Sequence, residues 1–154
     1  MSVQLAIYDL TNGMARQLSM LFLGQQIDGI YHTGVIVHGV EFFFGGGIQT
    51  VPEGVFSTQF HIPPEYVPLG TTRKTLAEIQ TFLFSIQDEY TQQTYHLLHH
   101  NCNHFSDALL HFLFDDEKGV PQHILQQHET IFIIFDAQRR NQTIRFCSWK
   151  MSPL

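Results

Sequence analysis

The chain has 154 residues, a net charge of −6 with histidines neutral, 44% hydrophobic residues and 13% aromatics, most of them phenylalanine. That suits one domain with a packed core, and the shortage of Lys and Arg argues against nucleic acid, whose phosphates need a clustered basic face. Two cysteines make no disulfide framework, no signal peptide opens the chain and no apolar run is long enough to span a bilayer, so no stable membrane insertion and a reducing compartment, cytoplasm or nucleus, are expected.

Residues Val3 to Tyr8 alternate weakly and predict a strand, with Asp9-Leu10-Thr11-Asn12-Gly13 turning out of it. Met14 to Leu23 suits a short helix ended by Gly24. The β-branched run Thr33 to Val37, the turn His38-Gly39 and Val40 to Phe44 together signal a hairpin with both strands buried. Gly45, Gly46 and Gly47 then break the strand. A bulge or sharp bend is the plainer reading; the functional one is backbone cleared of side chains so that an extended substrate can pass close by. Pro52 to Pro68 reads as proline-rich loop, with a short strand near Val67 to Thr71. Thr75 and Glu78 form a capping box ahead of the apolar stripe Leu76, Ile79, Leu83, Ile86. Tyr95 to Leu98 fits strand or helix equally. Near the C-terminus, Ile131 to Phe135 predicts a buried strand and Thr143 to Trp149 another. No repeat or linker divides the chain, which is read as a single domain over 1–154.

Chemistry concentrates at His100-Asn101-Cys102-Asn103-His104-Phe105-Ser106. Phe105, Leu109, Phe112 and Leu113 recur at helical spacing, so a helix begins at Asn101 or Cys102. Asn101 can cap it, because its side-chain oxygen accepts from the free amides of the first turn. A thiol in that turn feels the positive end of the helix dipole, which favours the thiolate. Residues 102, 105, 109 and 113 share one face, so the sulfur points into the packing. An inward thiol needs a base, and His32 offers one at the start of the β-branched run. The pair suits nucleophilic attack on a carbonyl, with the Cys102 amide as an oxyanion donor. Against this stands the fact that a buried cysteine is usually a small core hydrophobe. A zinc site from His96, His99, His100, Cys102 and His104 has partly ligand-like spacing, but the cap at Asn101 interrupts the helix it needs, so no metal and no cofactor are expected.

With His32 and Cys102 identified, the chain resembles the PPPDE family, desumoylating isopeptidases with a papain-like fold. The resemblance rests on Tyr8-Asp9-Leu10, Gly13-Met14-Ala15-Arg16, Gly29-Ile30-Tyr31-His32-Thr33, Glu41-Phe42-Phe43-Phe44-Gly45 with Gly47-Ile48, and His100-Asn101-Cys102-Asn103 with Phe105-Ser106. These runs are collinear over about residues 3–124, and the segment 127–154 diverges. Tyr31 stands where the family often has Trp, and His104 and Asp107 replace its more usual residues.

The resemblance implies an α/β class fold of α+β type: a small, mostly antiparallel sheet packed with helices, and a nucleophile at a helix N-terminus. It implies a His32–Cys102 dyad and conjugates of ubiquitin-like modifiers as partners, with a homodimer left open; Tyr31, Gly45, Gly46, Gly47 and Asn101 are expected to contact the substrate. Glu41 and Gln49 are guesses for a group orienting His32. Three functions follow: a cysteine isopeptidase acting on SUMO or ubiquitin conjugates, an S-acyl thioesterase using the same dyad, and a non-catalytic interaction module in which Cys102 is structural.

Overall fold

The computed structural model of the chain describes residues 1–127 and residue 132. Strand β1 (Ser2–Asp9) is the second strand from one edge of a five-stranded sheet. It is flanked by β2 (Tyr31–Val37) and β5 (Pro64–Thr71); beyond β2 lie β3 (Val40–Phe44) and β4 (Ile48–Pro52). The order is β4-β3-β2-β1-β5, and every pairing is antiparallel. Among the described residues five helices accompany the sheet: α1 (Met14–Leu23), α2 (Val55–Phe60), α3 (Leu76–Ile86), α4 (Cys102–Leu113) and α5 (Gln122–Leu125). This is the α+β arrangement that the sequence implies.

Alternation along the strands gives the sheet two apolar faces. Val3, Leu5, Ile7, Val35, Val37, Phe42 and Phe44 form the larger core with Phe105, Leu109, Leu110 and Leu113 of α4, Ile79 of α3 and Ile124 of α5. Ala6, Tyr8, Ile36 and Phe43 face the other way and are covered by Phe56 of α2. Both faces are buried at β2, which explains why its sequence reads as a continuous β-branched run.

The expected elements at both ends of α1, at the β2–β3 hairpin and at α3 are present, the last with its Thr75–Glu78 capping box. Two expectations fail. Pro52 to Pro68 is not loop: it holds the end of β4, all of α2 and half of β5. β4 and β5 are the sheet's two edge strands, where a proline lacking its N–H costs no ladder bond on the open side. α2 is six residues long, enters at Gly54 with φ 83° and leaves at His61 with φ 56°, too short to display a helical period. Tyr95 to Leu98 is neither strand nor helix but turn, closed by an isolated bridge between His96 and His100. The strands expected over 131–135 and 143–149 lie outside the described residues, apart from Phe132, which is exposed.

The three glycines make the tight turn between β3 and β4. The Gly45 amide donates to the Gly47 carbonyl at 3.0 Å, with Gly46 at φ 78° and Gly47 at φ 143°, backbone that side-chain-bearing residues avoid. The plainer of the two sequence readings describes the turn, and Gly47 also bridges to Thr91 in the loop before α4.

Candidate active site

The site forms where the sheet splits. Ladder pairing between β2 and β3 ends at Val35–Phe42, leaving the β2 backbone at Tyr31 and Thr33 without a strand partner on that side among the described residues. Such groups, once buried, must be satisfied from elsewhere. Here α4 and the chain's later part supply side chains. Ser106 Oγ donates to the Thr33 carbonyl at 3.1 Å, and Asn103 Nδ2 to the Tyr31 carbonyl at 3.1 Å. Gln127 brackets Tyr31, its Oε1 accepting from the Tyr31 amide and its Nε2 donating to the Tyr31 carbonyl, both at 2.7 Å. Thr33 Oγ1 donates to Asn103 Oδ1 at 2.9 Å. The first turn of α4 thus takes the place of strand β3 along this stretch.

Cys102 begins that turn. Asn101 caps it, its Oδ1 accepting from the amides of Asn103 (2.9 Å) and His104 (3.4 Å), while His104 Nδ1 meets the Asn101 amide at 3.3 Å. Asn101 Nδ2 donates to the Leu97 carbonyl at 2.7 Å, so its whole amide is engaged in holding the helix start. Cys102 shares its face with Phe105, Leu109 and Leu113 and is 6% exposed. Its thiol donates to Asn103 Oδ1 at 3.6 Å, and the Thr33 amide points at the sulfur. Thr33 directly follows His32.

The His32 side chain projects to the opposite face of the sheet from α4, beside its register partner Tyr8. Its ring stacks on Phe56 (4.8 Å between centroids, planes 7° apart) and meets Phe43 edge-on at 5.6 Å. His32 is also 6% exposed, and its Nε2 is buried with no hydrogen-bond partner among the described residues. The sulfur thus lies on the α4 side of β2, by the Thr33 amide, and the imidazole on the α2 side; among the described residues no hydrogen bond joins the two.

Burial works against the thiolate that the helix terminus favours. Burial pushes the Cys102 thiol up to about 11, against the opposing pull of the Thr33, Asn103 and Cys102 amides and the Tyr95 hydroxyl. Burial also brings His32 down to about 4. The helix terminus favours negative charge on sulfur as expected, but loss of water outweighs it. At neutral pH both groups are uncharged in this closed arrangement.

Of the remaining expected residues, Tyr31 is half-buried and held through its backbone, and Gly45 to Gly47 form the turn beyond Phe44, whose ring packs on Phe105 of α4 at 6.4 Å. Glu41 is fully buried and accepts from the Tyr8 hydroxyl at 2.8 Å, with no bond to His32; burial raises its carboxyl above the ordinary range. Gly34 makes room for it, since a Cβ there would stand 2.4 Å from Glu41 Oε1. Gln49 lies on β4 beside Gly47. Among the described residues no three His, Cys, Asp or Glu side chains converge as metal ligands; His100 stacks on Tyr90 and His96 on His99.

Sequence reasoning missed Asn103, Thr33, Tyr95 and Gln127 as parts of the site. The first two flank the dyad residues and were legible as neighbours. Gln127 carries no local signal, because its partner Tyr31 lies 96 residues away in the chain.

The chain matches the family described as "PPPDE putative peptidase domain" over residues 1–142. It is 42% identical over 113 residues to human desumoylating isopeptidase 1, covering 72% of this chain and 66% of that protein. To desumoylating isopeptidase 1 of Xenopus laevis it is 37% identical over 126 residues, covering 80% and 72%. To the DeSI-like protein sdu1 of Schizosaccharomyces pombe it is 31% identical over 119 residues, covering 70% and 55%. The chain thus spans about two thirds of the length of the curated human relative it matches. The quoted motifs, the antiparallel sheet and the cysteine at the start of a buried helix lie within that match, and the chain belongs to the PPPDE peptidase-domain family.

Proposed function

We propose that the chain is a cysteine isopeptidase that cleaves the bond between the C-terminal glycine of a ubiquitin-like modifier and a substrate lysine, with Cys102 as nucleophile and His32 as general base. The observation that carries the reading is the seat of Cys102: first turn of a buried helix, at the open edge of β2, one residue from the chain position of His32. The names of the relatives, desumoylating isopeptidases, support the same bond and the same class of conjugate.

The chemistry follows from two neutral partners. His32 Nε2, buried and unpartnered, is a free acceptor once its ring turns off Phe56 towards the sulfur. It takes the thiol proton as Sγ attacks the carbonyl, then returns that proton to the departing lysine amine. Water hydrolyses the resulting thioester. The side-chain-free turn at Gly45, Gly46 and Gly47 suits a Gly-Gly tail, which has no bulk at its scissile end. A reducing compartment, cytoplasm or nucleus, belongs to this reading, because the reaction needs Cys102 as a free thiol.

The thioesterase reading asks for an apolar channel at Cys102. A cavity of about 400 Å³ lies among Lys74, Phe82, Ile86, Tyr90, His111 and Phe112, and Cys102 does not line it.

The test is cleavage of SUMO and ubiquitin conjugates by the full chain and by Cys102→Ser and His32→Ala. Each substitution is expected to abolish turnover while leaving the circular dichroism spectrum unchanged. Full activity in either variant overturns the dyad; no cleavage of any conjugate by the unaltered chain overturns the substrate class.

A further inference from the structure

The His32 side chain is held by rings. Its imidazole lies flat on Phe56, planes 7° and centroids 4.8 Å apart, and meets the edge of Phe43 at 5.6 Å. Phe56 is fixed in turn by Tyr8 at 4.5 Å, Phe60 at 4.6 Å and Phe43 at 5.0 Å. On the same face the Tyr8 hydroxyl is committed to Glu41 at 2.8 Å, and His32 Nε2 is buried with no hydrogen-bond partner among the described residues. A nitrogen buried in that way is costly, and aromatic packing keeps it there. Phe56 is the buried residue of α2, which is entered and left through left-handed backbone at Gly54 and His61. On the other side of β2, Cys102 Sγ and Thr33 Oγ1 donate to one acceptor, Asn103 Oδ1, at 3.6 and 2.9 Å. Thr33 follows His32 in the chain, so imidazole and sulfur are kept apart by the face of β2 that the ring occupies.

We propose that Phe56 is a positioning residue: its ring clamps the His32 imidazole on the α2 face in a resting state, and displacement of α2 releases the imidazole to Cys102. The proposal rests on the His32–Cys102 dyad and adds how that dyad is switched. In the clamped state the thiol proton is directed at Asn103 Oδ1. In the released state the ring swings past the β2 edge that β3 leaves open. The S–H bond then breaks, an N–H bond forms at Nε2, and thiolate and imidazolium stand as a pair. The swing exchanges an aromatic stack for a charge-assisted hydrogen bond, and whatever bears on α2 biases that exchange.

The test is the rate at which iodoacetamide alkylates Cys102 at neutral pH, on the full chain carrying Cys147→Ser. Phe56→Leu keeps apolar cover over His32 but offers no flat ring to stack on. The loss of rate caused by His32→Gln is expected to be about tenfold larger in the Phe56→Leu chain than in the chain with Phe56, in line with the thiolate that a histidine partner confers. A merely structural Phe56 changes access to the sulfur by the same factor with or without His32, and that factor cancels in the comparison. Equal effects of His32→Gln in the two chains overturn the proposal, and so does a larger effect in the chain with Phe56. Gly54→Ala is the second variant, decisive where Phe56→Leu does not fold: it strains the entry to α2 at φ 83° with no atom within 4 Å of the added carbon. The same enlargement of the His32→Gln effect is expected there, and its absence counts against the clamp. Alkylation needs no modifier, so the two readings fail separately. Absence of conjugate cleavage by the unaltered chain removes the isopeptidase reading, whereas cleavage without the enlarged effect removes the clamp alone.

Discussion

His32 and Cys102 are each ordinary in composition and made unusual by where they are buried. A buried imidazole stacked on Phe56, its Nε2 unpartnered among the described residues, stays neutral down to about pH 4, below its ordinary value of 6.5. The unfolded chain takes up a proton between those values that the folded chain refuses, so the stability contributed by neutral His32 is present above pH 6.5 and is lost as pH falls towards 4. The difference amounts to about 3 kcal/mol at most. Glu41 works in the opposite sense: its raised carboxyl pKa means that stability is lost as pH rises above the ordinary carboxyl value. Comparing the chain with His32→Gln isolates the first effect. The variant's melting temperature relative to the unaltered chain is expected to rise as pH is lowered from 6.5 to 4; a constant offset across that range contradicts a buried neutral imidazole.

At the level of elements, α4 does two jobs with one face. Phe105, Leu109 and Leu113 bury it against the sheet, and the same spacing carries Cys102 into the split beside Thr33. The cap at Asn101 decides where the helix begins and therefore where the sulfur stands. Asn101→Ala removes an acceptor for two first-turn amides and the bond to the Leu97 carbonyl. A loss of about 1–2 kcal/mol by denaturant unfolding is expected, together with a change in the rate at which Cys102 is alkylated. Unaltered stability would show that solvent takes over the cap. α2 acts on the other face, where Phe56 covers His32; its six residues are framed by two left-handed positions, Gly54 and His61, and give no periodic signal in the sequence.

Across the whole molecule, the site assembles from segments far apart in the chain. Seventy residues separate His32 from Cys102, and ninety-six separate Tyr31 from Gln127, whose amide closes the open edge of β2 with two bonds of 2.7 Å. Gln127 so ties the end of the α5 region to the strand that carries His32. Gln127→Ala leaves the Tyr31 amide with no partner, while the Tyr31 carbonyl keeps its bond from Asn103. About 1–3 kcal/mol of stability should be lost, and hydrogen exchange at the Tyr31 amide should accelerate more than at Val35, which stays in the β2–β3 ladder. Equal exchange at both positions would show that Gln127 does not guard this edge.

By itself the sequence determined the helix beginning at Cys102, its capping asparagine, the β2–β3 hairpin and the α3 capping box, because each is written in neighbours within one or two turns. The motifs around His32 and Cys102 also carried the family. What only the tertiary structure decided was the environment of those residues. Dipole reasoning from sequence favours a thiolate, yet desolvation, a sum over everything packed around the sulfur, holds it as a thiol. The split between β2 and β3 and the Gln127 bracket arise from contacts between distant segments, and periodicity carries no information about those.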